Sequence, residues 1–140
     1  MIPKKKPKIK TPKLSTLVDK ADKVCSIYIR MKYSDHAGYI ECCTCKKPIR
    51  WQDAHCAHYI ERGKYRTRWR EENLHPACPG CNVFNKEFHK REYTFYMLDM
   101  YGRDLVEELK AEAKRLISPS EKRQLALEAI TYYQEAVKSL

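Results

Sequence analysis

Apolar residues recur at intervals of three and four over residues 15–32, a spacing that places them on one face of an α-helix. The members of this pattern are Leu17, Ala21, Val24, Tyr28 and Met31. The sequence therefore predicts an N-terminal helix with one buried face.

Short strands are predicted after a loop with the sequence "SDHAG". The segment "YIECCTCKKPIRWQDAHCAHYI", residues 39–60, carries Tyr, Ile, Trp and Thr between turn-forming residues. Such a composition favours short β-strands. We expect a small hairpin in this segment.

The remainder of the chain is predicted to be mainly helical. "PGCNVFNKEF", which begins at Pro79, looks like a helix start, and Gly102 stands at a typical helix C-cap. A further helix is predicted over residues 104–117. The string "SPSE" from Ser118 then gives a strong start signal for a long terminal helix.

One stripe of this terminal helix is apolar, so it can pack on the core or on a second subunit. The stripe consists of Leu125, Ala129, Tyr132, Ala136 and Leu140. The sequence therefore leaves a homodimer open as an interpretation.

Length and charge narrow the class of protein. A chain of 140 residues suits one domain with a modest core. Lys and Arg total 28 against 18 Asp and Glu, a formal net charge of +10, which favours a polyanionic partner. No run of about 20 apolar residues is present, so we expect no membrane span and a cytoplasmic location.

The N-terminal string "MIPKKKPKIKTPK" is basic and interrupted by prolines. We interpret residues 1–13 as a flexible basic arm and residues 14–140 as a single domain. Within that domain the core is expected at about residues 40–90, and the C-terminal helices at about 91–140.

Seven cysteines in a chain expected to stay in a reducing compartment indicate metal ligands rather than disulfides. Cys42 and Cys45 form one Cys-x-x-Cys pair, and Cys78 and Cys81 form another. Two such pairs satisfy tetrahedral zinc completely, so this zinc would be structural and unable to activate water. Cys43 can compete with Cys42, but the two-residue gap favours Cys42.

The strings "CCTCKKPIRWQDAHCAHYIERG" and "TRWREENLHPACPGCN" resemble the zinc-bound HNH nucleases, and among them most of all the phage NinG/Rap recombination nucleases. The order of parts is also similar to phage recombination endonuclease VII, a resolvase of branched DNA. The resemblance implies an α+β, mostly helical fold. Its zinc-stabilised HNH core, of the ββα-metal, treble-clef-like kind, would be flanked by N- and C-terminal helices.

The resemblance also implies roles for individual residues. His58 matches the general base, Asn73 the residue that fixes the intervening loop, and Asn82 a ligand of the catalytic metal. His55 stands where the family usually has an aspartate, and Asp53 is the alternative source of that ligand. The catalytic ion would be Mg²⁺ or Mn²⁺, or another transition metal, since imidazole suits transition metals better than magnesium.

Five cations occupy every second position of "RGKYRTRWR": Arg62, Lys64, Arg66, Arg68 and Arg70. An extended chain would direct all five to one side, where they could contact DNA phosphates. A solvated charged loop is the alternative. The roles of His75, structural or phosphate-contacting, and of His89, which could reach the same groove, stay open.

The sequence and the resemblance together predict a metal-dependent DNA endonuclease of a phage or prophage in a bacterial host cell. Its substrates would be branched recombination intermediates such as Holliday junctions, D-loops and forks. The alternative is a non-catalytic, zinc-stabilised protein that binds nucleic acid.

Overall fold

The computed structural model describes residues 2–6 and 11–140. The α-helices of this part are α1 Leu14–Lys32, α2 Lys86–Tyr101, α3 Arg103–Ala113 and α4 Pro119–Lys138. The strands are β1 Tyr39–Glu41, β2 Pro48–Arg50, β3 His55–His58 and β4 Leu74–Ala77. A 3-10 turn at Glu71–Asn73 precedes β4, and a π-helical turn at Gly80–Phe84 precedes α2. The predicted α+β, mostly helical class is confirmed.

The strands form two separate antiparallel pairs. β1 pairs with β2, and β3 pairs with β4 so that His55 lies opposite Ala77 and His58 opposite Leu74. The prediction of one hairpin within residues 39–60 was therefore incomplete. β4 was missed because "LHPA" is buried throughout and contains a proline, so it lacks the alternation by which a strand is recognised.

The first part of the core lies between α1 and α4. Ala21 and Ala126 are fully buried, and the Tyr133 hydroxyl donates a hydrogen bond to the Trp69 carbonyl. α4 starts as predicted, with the Ser118 side chain and Glu121 forming a capping box. Its buried residues are Ala126, Ala129, Ile130 and Tyr133.

This buried face differs from the predicted stripe, of which Tyr132 and Leu140 are exposed. The helix is oriented about its axis so that the face with Ile130 and Tyr133 packs against α1 of the same chain. The homodimer stays a prediction.

The second part of the core packs α2 and α3 on the cysteine-rich segments. Tyr93, Met97 and Leu109 are among its fully buried side chains. Gly102 separates the two helices with φ of +82°, a backbone conformation that glycine adopts without strain. Its N–H donates to the Leu98 carbonyl at 2.9 Å, which ends α2 as predicted.

Residues 2–6 and 11–13 are irregular and exposed, whereas the rest of the predicted basic arm, residues 1 and 7–10, lies outside the described residues. Within the described ranges, no helix combines the length and apolar character needed to cross a membrane.

His75 is fully buried on β4, so it has no surface to offer a phosphate, and its role is structural. The Tyr93 hydroxyl donates to the Ala57 carbonyl, and therefore accepts from His75 Nδ1 at 2.9 Å. His75 Nε2 lies 2.8 Å from the Tyr101 hydroxyl. Burial, with a smaller contribution from Lys32, lowers the pKa of His75 from 6.5 to about 3.

This pKa makes stability depend on pH. Between pH 6.5 and about 3 the unfolded chain binds a proton at His75 that the folded protein does not, so the free energy of unfolding falls as pH falls. At pH 7.5 the free energy of unfolding of His75→Gln should be about 1–3 kcal/mol lower than that of the wild type. Between pH 7 and 5 the free energy of unfolding should fall less for His75→Gln than for the wild type. Denaturant unfolding followed by circular dichroism measures both, with zinc-linked acid effects common to the two proteins. Identical pH slopes would contradict the burial argument.

Candidate metal centre and adjoining cleft

The two Cys-x-x-Cys pairs lie together. The sulfurs of Cys42, Cys45, Cys78 and Cys81 are all within 4.8 Å of one another. The Cys45 and Cys78 sulfurs are 3.7 Å apart, and a tetrahedral zinc with Zn–S bonds of about 2.3 Å requires about 3.8 Å. The four cysteines therefore fit a structural zinc, with Cys42 rather than Cys43 as the fourth ligand.

Local structure explains how the sulfurs converge. Cys42 and Cys45 lie in the tight turn between β1 and β2, where the Lys46 N–H donates to the Cys42 carbonyl at 3.0 Å. Lys46 adopts a φ of +66°, which closes the turn. Cys78 directly follows β4 and Cys81 lies in the π-helical turn, so the cluster joins the first strand pair to the second.

Further groups surround the sulfurs. The Cys81 N–H donates to the Cys78 sulfur at 3.5 Å, and the Thr44 hydroxyl lies 3.5 Å from the Cys42 sulfur. Thr44 also contacts His89 Nδ1 at 2.8 Å. His89 is therefore directed toward the cysteine cluster and is not among the residues that line the cleft described next. Of the roles left open for it, contact with that groove is not observed.

A cleft of about 780 Å³ adjoins this cluster. Its walls come from α1, β3, the loop after β3 and the π-helical turn. His55, His58 and Asn82 line it, together with the cations Arg62 and Lys86. Three predicted site residues that are separated by up to 27 positions in the sequence thus face one cavity.

His55 and Asn82 are in direct contact. The side-chain nitrogen Nδ2 of Asn82 lies 3.2 Å from His55 Nδ1, to which it can donate a hydrogen bond. Two ligands at about 2.1 Å from one cation, at right angles, are about 3 Å apart. With the Asn82 amide turned by 180°, its oxygen would take the place of Nδ2, and the two side chains could then hold one cation; an imidazole ligand favours a transition metal.

His58 lies at the end of β3, and its ring orientation is fixed by a backbone group. Its Nε2 lies 3.0 Å from the Arg68 carbonyl. A carbonyl only accepts, so Nε2 carries the proton and Nδ1 keeps its lone pair. Burial lowers the pKa of His58 from 6.5 to about 4, and the opposing influence of Asp22 does not reverse this.

Asp22 of α1 fixes the segment that orients His58. Its two carboxylate oxygens accept from Arg68 Nε at 3.0 Å and from an Arg68 terminal nitrogen at 2.6 Å. The same carboxylate accepts from the Trp69 indole N–H at 2.8 Å. Burial acts to raise the pKa of Asp22, but these hydrogen bonds outweigh it and lower the pKa. The ionised carboxylate therefore holds the backbone whose carbonyl bonds His58.

Asn73 is fully buried and holds the loop after β3. Its Oδ1 accepts from the Ile60 N–H at 2.7 Å. Its Nδ2 donates to the Ile60 carbonyl at 3.1 Å and the Thr67 carbonyl at 3.0 Å. These contacts tie residue 60 to residue 67 and so hold the loop together.

Asp53 lies elsewhere. It is exposed in the turn before β3 and is not among the residues that line the cleft. The contact between His55 on β3 and Asn82 forms without Asp53.

The extended row of cations predicted for residues 62–70 is not observed. The segment forms successive turns, and only Arg62 and Lys64 of the five are exposed. The other three pair with carboxylates of three different helices: Arg66 with Glu121, Arg68 with Asp22 and Arg70 with Glu112. The prediction failed because the sequence pattern gives the spacing of the cations and not the acidic groups that surround them.

Sequence reasoning missed Asp22 and Lys86 as cleft residues. Asp22 had a signal, because an acid four residues after Val18 and three before Cys25 lies beside the apolar face of α1. Lys86 had none, since its place in the cleft depends on the π-helical turn.

Comparison with known proteins identifies the family. The family model described as "Bacteriophage Lambda NinG protein" matches residues 2–140. The chain belongs to this NinG family. Neither curated proteins nor solved structures gave a match.

Zinc should be integral to folding, because the unfolded chain offers no formed four-sulfur site. Cys78→Ser should lose both bound zinc and helical signal. Cys43→Ser, a cysteine outside the cluster, is the matched control and should keep its zinc. Elemental analysis and circular dichroism of the purified proteins measure these outcomes, and a folded wild type without zinc would contradict the site.

Proposed function

We propose that the protein is a metal-dependent DNA endonuclease of the HNH type that acts on branched recombination intermediates. The observation that carries the proposal is the contact between His55 and Asn82 in a cleft that His58 also lines. β3 supplies His55 and His58, and the π-helical turn before α2 supplies Asn82.

Hydrolysis of a phosphodiester requires a base that deprotonates water and a positive group that stabilises charge on the phosphate and the leaving oxygen. His58 is suited to the first role, since Nε2 is bonded to the Arg68 carbonyl and Nδ1 is left to accept a proton. Its lowered pKa keeps it neutral at ordinary pH. A divalent ion, when bound by His55 and Asn82, would supply the Lewis acid for the leaving 3′ oxygen.

The charges around the cleft suit a nucleic acid backbone. Arg62 and Lys86 line it and are exposed, so they are available for phosphate oxygens. Glu61 also lines the cleft and limits the positive charge. Such binding should be led by phosphates and weaken with salt.

The preference for branched DNA rests on the resemblance to phage recombination nucleases and on membership of the NinG family. The alternative function, binding of nucleic acid without cleavage, is favoured by one observation: an imidazole stands where the family usually has a carboxylate. Cleavage assays separate the two.

His58→Ala should reduce cleavage of a four-way junction in Mn²⁺ by a hundredfold or more, since removal of a general base typically has an effect of about 10²–10⁴. Zinc content and junction affinity should be unchanged. His36→Ala is the matched control, because His36 is an exposed loop histidine outside the cleft. Cleavage by His58→Ala at the wild-type rate would assign the base to another residue. A wild type that binds the junction without cutting it would support the non-catalytic alternative.

The His55 ligand predicts a metal preference. The wild type should cut faster in Mn²⁺, Co²⁺ or Ni²⁺ than in Mg²⁺, because imidazole binds transition metals better. His55→Asp should shift this preference toward Mg²⁺, which prefers oxygen ligands. Asp53→Ala is the control and should leave the order of metals unchanged. An effect of Asp53→Ala together with indifference to His55→Asp would make Asp53 the ligand.

A further inference from the structure

Phe84 is the most exposed aromatic side chain in the described part of the chain, with 83% of its surface accessible. It ends the π-helical turn Gly80–Phe84, which also carries Cys81 and Asn82. Neighbouring Val83 is 43% exposed and lines the cleft. An exposed aromatic ring thus directly follows two residues, Asn82 and Val83, that line a cleft whose other side chains are largely polar or charged.

The turn that carries Phe84 is held firmly. The Asn82 N–H donates to the Cys78 carbonyl at 3.0 Å, and the Asn85 N–H donates to the Gly80 carbonyl at 2.9 Å. Both bonds flank Cys81 of the sulfur cluster. Phe84 is two residues from Asn82, so their Cα atoms are separated by at most about 7 Å.

The surroundings of Phe84 favour a nucleobase over an apolar protein surface. Lys86 and Lys90, both exposed, follow it on α2, and Asn82 of the candidate metal pair precedes it. An apolar protein partner would have to desolvate these cations, whereas a nucleic acid would meet the cations with phosphates and the phenyl ring with a base. Aromatic side chains beside basic residues stack on bases in this way.

We infer that Phe84 stacks on a base at the branch point of the DNA bound in the cleft, and that this contact selects branched over linear DNA. A base inside a continuous duplex has neighbours on both faces, so stacking on it requires unstacking that costs energy. At a branch point a base face is open. The inference rests on the proposed function and assigns the residue that recognises the branch.

The test measures binding without added divalent metal, so that it does not depend on cleavage. Affinities for a four-way junction and for a linear duplex of matched sequence are measured at one salt concentration. Phe84→Ala should weaken junction binding about ten- to a hundredfold, as for one lost base–aromatic stack. Its duplex affinity should stay within about twofold, because phosphate contacts remain. Phe95 is another exposed phenylalanine and lies on α2. Phe95→Ala is the matched control and should change neither the junction affinity nor the duplex affinity.

Phe84→Trp supplies a direct readout of stacking. This variant should keep junction selectivity, and the junction should quench its fluorescence more than that of the wild type, which contains Trp51 and Trp69. Zinc content and thermal unfolding show that each variant is folded.

The outcomes separate the inference from the proposed function. Cleavage by the wild type with no selective effect of Phe84→Ala overturns the inference alone, as does an equal loss of junction and duplex binding. Selective junction binding that depends on Phe84 without any cleavage supports the inference and overturns the nuclease. No DNA binding by the wild type overturns both. A changed oligomeric state of Phe84→Ala with unchanged DNA binding would assign the ring to a protein contact and overturn the inference.

Discussion

The convergence of four cysteine sulfurs is the interaction on which the rest of the candidate site depends. Strand pairs of three or four residues are too short to be stable alone. The Cys45 sulfur, between β1 and β2, lies 3.7 Å from the Cys78 sulfur, which follows β4, so the cluster links the two strand pairs. Because Cys81 belongs to the same cluster, its neighbour Asn82 is brought to His55 on β3. The cluster itself has no ligand position left for chemistry, so its contribution is to place other groups.

The N-terminal helix α1 also lines the cleft. The Asp22 carboxylate accepts hydrogen bonds from Arg68 and Trp69, and the Arg68 carbonyl accepts one from His58. The orientation of the proposed base therefore depends on a helix far from the cysteine motifs in sequence. Buried Asn73 adds a second constraint, because its side chain hydrogen-bonds Ile60 and Thr67 of the loop after β3. His58 and the loop after β3 are thus held by polar groups that are themselves hydrogen-bonded, which keeps this part of the geometry defined before any ligand binds.

The alternating cations of residues 62–70 do not form the single exposed row that their spacing predicts. Arg66, Arg68 and Arg70 pair with carboxylates on α4, α1 and α3, and hold the loop to the helices around it. Arg62 and Lys86 remain exposed at the cleft. Phe84, two residues before Lys86, presents an exposed apolar ring. A net charge of +10 indicates a polyanionic partner but does not say which cations face it.

The sequence by itself determined the four clustered cysteines that fit a zinc ion, the helical segments and the histidine and asparagine candidates. These depend on short-range spacing: two thiolates per Cys-x-x-Cys, apolar periodicity in α1, and the Ser118 capping box. Tertiary structure decided what depends on distant partners. β4 was recognised only through its pairing with β3. Three of the five cations of residues 62–70 were paired with carboxylates on three helices, and Asp53 was left outside the cleft that His55 lines. The cause is physical, since the sequence shows what each residue can bond, whereas packing determines which partners come within reach.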